Sequence, residues 1–204
     1  NNPIGGDKLP DVSEKSKVIS PTKNKIYDLP AELNEISGIT FLSDTVLVGI
    51  QDEEGILYYY SLSEDKIIRK QTFARSGDYE DLAKAGNDMY VITSDGLLSE
   101  IKNFASSNPI YTTIKTPFSK KNDIEGIAYD AKNKRLLIAP KELGLEQNET
   151  TKEIYGFDLK TMKFQSKPVF SIRLDEISSQ FSGSALEESS KKFLKAIGNQ
   201  NMNK

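Results

Sequence analysis

Three mutually similar segments of this chain each open with an acidic residue followed two positions later by a second oxygen-bearing side chain: Glu35 with Ser37, Asp78 with Glu80, and Asp123 with Glu125. The first members of these pairs stand 43 and 45 residues apart. Residues i and i+2 of a strand point the same way, so each pair sets two oxygen groups side by side. Carboxylates gathered in this manner hold a hard cation, share a proton or pair with a lysine. The chain contains no His and no Cys. That excludes Ser–His and Cys–His nucleophile activation, imidazole bases, thiol chemistry and the usual zinc ligands. A bound metal would have to sit among oxygen ligands, which favours Ca²⁺ or Mg²⁺. The candidate metal ligands are therefore Glu35, Asp78, Glu80, Asp123 and Glu125.

The elements that must position these residues also repeat. Each acidic pair opens a short motif: 35–41, 78–83 and 123–129. An apolar run follows at 46–50, 89–93 and 135–139, then a polar turn, then a second run at 56–60, 97–98 and 153–157. In the third unit a further outer strand is expected at 163–166. Four short antiparallel strands in a repeat of about 45 residues describe a propeller blade. Helical solenoids need a 3.6-residue period, which these segments lack, and a β-sandwich would not repeat its own sequence. The expected fold is all-β, with about three and a half repeats of four-stranded antiparallel blades (33–76, 77–120, 121–180 and an incomplete 181–204). Residues 26–204 then form one domain behind a flexible tether at 1–25.

The turn between the second and third strands of a blade returns to the face where the first strand began. That places Asp52, Asp95 and Lys141 beside the acidic pairs, as candidate ligand-binding residues on one acidic face. A structural role competes with ligand binding here, because Glu80 and Glu125 could instead accept backbone amides at blade junctions. Tyr58, Tyr59 and Tyr60 read as a strand with alternating burial. Ser182 and Ser184 lack any activating histidine, and the Asn148–Thr150 glycosylation pattern reads as chance.

Formal net charge is −3, and the 27 Lys and Arg are interleaved with 30 Asp and Glu. Nucleic acid is thus not an expected partner, since phosphate binding needs clustered cations. No apolar run approaches the roughly 18 to 20 residues of a membrane span. The chain opens on Asn1, and its first ten residues are polar and contain Gly and Pro. Such a tether suits the stretch behind the lipidated Cys of a bacterial lipoprotein, the alternative being a simple boundary of the sequence. The expectation is an exported protein of the periplasm or cell surface, meeting the membrane only through an N-terminal lipid anchor. At the other end, Ser184 and Glu187 form a capping box, and Leu186, Phe193, Leu194 and Ile197 share a helical face. A closing helix over 185–197 is expected, with a strand over 193–197 as the alternative.

The motifs beginning at Glu35, Glu80 and Glu125, with the Gln51–Glu53 segment and the Leu136–Lys141 run, resemble the SdiA-regulated, YjiK-like family of bacterial β-propellers. The similarity runs from about residue 30 to 183. It implies a propeller outside the cytoplasm, often membrane-anchored, with no settled activity. More distantly the arrangement looks like phytase-like and lactonase-like propellers that use calcium. Three functions follow as expectations. One is a scaffold that binds a small molecule, glycan or protein through the acidic face. Another is a Ca²⁺-dependent hydrolase of a phosphoester or lactone. The last is an incomplete propeller, impaired or closed by another copy.

Overall fold

The computed structural model describes residues 25–176. The expected tether, apart from Lys25, and the closing helix with its Ser184 cap lie outside the described residues. Twelve strands form three four-stranded sheets, each an antiparallel meander in chain order. The first sheet holds β1 (Ile36–Ser43), β2 (Val46–Gln51), β3 (Ile56–Ser61) and β4 (Lys66–Thr72). The second holds β5 (Tyr79–Ala85), β6 (Asp88–Thr93), β7 (Leu97–Lys102) and β8 (Ile110–Lys115). The third holds β9 (Ile124–Asp130), β10 (Arg135–Pro140), β11 (Thr151–Asp158) and β12 (Lys163–Arg173). The last strand is much longer than the expected 163–166, because the chain continues past a bulge near Pro168 to pair with the start of β11. Among the described residues no helix is long and apolar enough to cross a membrane.

Short polar turns separate runs rich in Val, Ile, Leu and Tyr, residues that suit a pleated surface. Several turns need a left-handed residue, supplied by Asp65, Asn103, Lys134 and Met162, and by Gly86 and Gly96. At Gly96, with φ of 83°, a Cβ would also run into Phe118 at 2.5 Å, so no side chain fits.

Alternation along β6 explains how the sheets stack. Met89 and Val91 face one way and join Val48, Ile50, Leu57 and Tyr59 of the first sheet in one core. Tyr90 and Ile92 face the other way and join Ile127, Leu136, Ile138 and Phe157 of the third sheet in a second core. The middle sheet is thus covered on both faces, and β5 packs between β1 and β9. Phe118 lies edge-on to Tyr155 and Phe164, at 5.3 and 5.2 Å, and seals the second junction. These arrangements are the blades of a β-propeller, as the repeat implied.

The tyrosine triplet differs from its expected alternation, since Tyr58, Tyr59 and Tyr60 are all buried. Tyr59 enters the junction with the second sheet. The opposite face of β3 is covered by the stretch before β1. Tyr27 stacks edge-on against Tyr60 at 6.4 Å, and Glu32 pairs at 2.7 Å with Lys70, whose ammonium lies over the Tyr58 ring.

Candidate functional site

The motif acids begin the innermost strands, and backbone hydrogen bonds fix them in equivalent places. Glu35, Asp78 and Asp123 each offer a carbonyl to an amide from the turn after the second strand: Asp52 at 3.2 Å, Ser94 at 2.9 Å and Lys141 at 2.7 Å. The three blades therefore superimpose in register, and the turn returns to the face where the inner strand starts. A second set of bonds joins blade to blade. Tyr79 donates to the Asp52 carbonyl at 2.7 Å, and Ile124 donates to the Ser94 carbonyl at 2.9 Å. In this register Ser94, not Asp95, is the counterpart of Asp52 and Lys141. Its hydroxyl donates to the Asp78 carboxylate. A serine carries no charge, so charge-based reading passed over it. Asp95 accepts from Thr93 Oγ1 at 2.5 Å, which ties it into its own turn.

Four of the five acidic candidates come together. The Lys141 ammonium reaches Asp123 at 3.1 Å and Glu125 at 2.9 Å. Those two carboxylates hold the lysine well above its usual range, Glu125 contributing most. Glu80 lies half-buried beside them, and its carboxyl is pushed up to about 7. Burial is the main cause, followed by repulsion from Glu125, Asp78 and Asp123, with Lys141 opposing. Glu35 is not part of this cluster. Its side chain lines a separate hollow with Gln51, Glu54 and Lys70 beside the first sheet. Asp52 is half-buried, with one carboxylate oxygen enclosed and without a hydrogen-bond partner. On the same side as Asp78, a cleft of about 500 Å³ is lined by Arg75, Ser76, Ser94, Asp95 and Lys120.

The junction-capping role expected for Glu80 and Glu125 falls to Asp81. Its carboxylate accepts the Leu82 amide at 2.7 Å and the Ile127 amide of the next blade at 2.9 Å. Burial raises its pKa while these two amides oppose the rise. The motif has Gly38 at the corresponding place in the first blade, where a Cβ would lie 3.0 Å from the Asp81 Cα and the Leu82 nitrogen. Asn122 is another residue missed from sequence. Buried, it accepts the Ser119 amide at 3.0 Å and donates to the Leu143 carbonyl at 2.9 Å, so it holds the loop that presents Asp123.

The cluster does not fit a calcium ion well. Ca²⁺ takes six to eight oxygen ligands. Here the Lys141 ammonium stands between Asp123 and Glu125, and among the described residues no three Asp or Glu are grouped to hold a metal. What the arrangement offers is an excess of negative charge partly neutralised by one internal ammonium.

The model of the SdiA-regulated family matches residues 22–179. The chain belongs to that family. No curated protein matches the sequence. Several solved structures are similar in backbone. The β-propeller domain of Myceliophteria thermophila Cps50 (Swd1) is 12% identical with a TM-score of 0.45, over 68% of this chain and 43% of that one. The computationally designed Ika4 protein is 12% identical with a TM-score of 0.49, over 72% of this chain and 81% of that one. The RRP9 WD40 repeats are 7% identical with a TM-score of 0.46, over 68% and 38%. The matched part of this chain corresponds to less than half the length of the Cps50 and RRP9 structures.

Proposed function

We propose that this SdiA-regulated protein is an exported, tethered propeller that acts as a binding scaffold, holding an amine-bearing small molecule, glycan or protein against the acidic face of its second and third blades. The observation that carries this reading is Glu80, whose carboxyl is pushed up to about 7 by burial and three neighbouring carboxylates. One internal ammonium leaves the cluster short of positive charge. A second ammonium from a ligand would relieve the repulsion and draw the proton off Glu80. The polar opening segment and the family resemblance support export and tethering.

Calorimetry at pH 7 with spermidine as the probe tests this proposal. Binding should release a fraction of a proton, seen as a heat that changes between buffers of different ionisation enthalpy. Glu80→Gln should abolish the buffer dependence and weaken binding severalfold. If spermidine does not bind, or binds with no proton release, the proposal is wrong. Calcium chloride serves as the parallel probe. A calcium-raised melting temperature lost in Glu80→Gln and Glu125→Gln would support the calcium-dependent hydrolase in its place.

A further inference from the structure

The linkers that lead into β5 and β9 share a pattern at identical spacing: Phe73, Arg75 and Asp78 in one, Phe118, Lys120 and Asp123 in the other. Each phenylalanine anchors its linker. Phe73 meets the Tyr79 ring edge-on at 5.2 Å, and Phe118 packs against Tyr155 and Phe164. The backbone around each cation is pinned as well. Ala74 donates its amide to the Gly55 carbonyl at 3.2 Å, and the Arg75 carbonyl accepts the Tyr79 hydroxyl at 2.6 Å. In the second linker the Ser119 carbonyl accepts the Asn122 amide at 2.9 Å, while Asn122 Oδ1 accepts the Ser119 amide at 3.0 Å. Fixed backbone thus brings two cations to one place, the cleft of about 500 Å³ that also holds Asp78, Ser94 and Asp95. At the same position of the stretch before β1 stands Glu32, which is paired with Lys70.

The charged groups of this cleft are unevenly provided for. Asp78 accepts the Ser94 hydroxyl, and Asp95 accepts the Thr93 hydroxyl and the Leu97 amide. Arg75 and Lys120 are exposed, and among the described residues neither enters an ion pair. The acids have donors, whereas the cations lack an acceptor. We propose that the ligand of the acidic face is an amino acid or a compound built like one, with its ammonium at Asp78 and Glu80 and its carboxylate between Arg75 and Lys120. This rests on the amine site proposed above, to which it adds the anionic end. Asp78 joins the two halves, since it lines the cleft and stands among the carboxylates around Glu80. A guanidinium can hold a carboxylate through two parallel hydrogen bonds, and Lys120 adds a point charge. Asp78 and Asp95 repel a doubly charged phosphate more strongly than a carboxylate, so the cleft selects the single charge. Tyr79 and Leu97 line the same cleft and give the carbon chain between the two charges an apolar surface.

Calorimetry at pH 7 in low salt tests this with 6-aminohexanoate and 4-aminobutyrate, each against the alkylamine of the same length, and with hexanoate alone. At least one of the two amino acids should bind roughly tenfold tighter than its amine, the worth of one charge-assisted contact. Arg75→Gln and Lys120→Gln, both on exposed side chains, should each cut that advantage with the melting temperature unchanged, whereas Lys120→Arg should retain it. Salt at about 1 M should shrink it too. Amino acids that bind no tighter than the matched amines overturn the inference and leave the amine site standing. Hexanoate bound through Arg75, with no binding of the amines, overturns the amine site and with it the zwitterionic ligand. No binding of any probe overturns both.

Discussion

At the scale of single residues, Glu80 and Asp81 sit side by side in the chain and do opposite work. Glu80 titrates at about 7 when folded, against 4.5 for an ordinary glutamate, so the folded state binds more protons than the unfolded state between those values. Its contribution is therefore present below about pH 4.5 and is lost as pH rises through about 7. Solvent screening holds the loss to the order of 1 kcal/mol. Glu80→Gln should consequently melt higher than the parent at pH 8 and much closer to it at pH 5, as thermal scans at the two pH values would show. Asp81→Ala should act differently. It leaves the amides of Leu82 and Ile127 without their acceptor and should cost about 2 kcal/mol in urea unfolding, with spermidine binding little changed. A loss of binding without a loss of stability would reverse the two assignments. The sequence makes both residues visible but cannot tell them apart. Adjacent residues of a strand face opposite ways, and only the stacked blades reveal which side is channel and which is junction.

Among the elements, the inner strands depend on how closely neighbouring blades approach. Gly38→Ala would press a methyl group against the backbone of β5 at 3.0 Å, where no flexible side chain can move aside. We expect about 1 to 3 kcal/mol of destabilisation, the usual cost of overpacking, measurable as a lower urea midpoint with an unchanged slope. An unchanged midpoint would mean that the first blade can shift outward. The strands themselves were legible, because apolar runs separated by polar turns recur with each motif. The motif spacing likewise marked β1, β5 and β9 as equivalent. The burial of Tyr58 and Tyr60 was not legible. It depends on a non-repeating stretch, with Tyr27 and Glu32, folding back over the first sheet. Nor could the role of Asn122 be read. Its value lies in two loop contacts that no period announces.

For the whole molecule, a repeat could reveal the order of the three described blades, the expected incomplete fourth repeat at 181–204 lying outside the described residues, but not how Lys141 divides its charge between Asp123 and Glu125. Strand pairing is confined within each sheet, between strands consecutive in the chain. Sheets that each meet only their neighbours favour approximately nearest-neighbour energetics. The middle sheet is covered on both faces, whereas each flanking sheet exposes large apolar side chains on its far side. Amide exchange in deuterated water should therefore be graded along the chain. Central amides of β6 and β7, such as those of Val91 and Ser99, should exchange slowest, at a rate set by global opening. Those of β4 and β12 should exchange earlier, through partial openings that leave the centre intact. The sheet lying between the other two would then be the last to yield its amide protons to solvent.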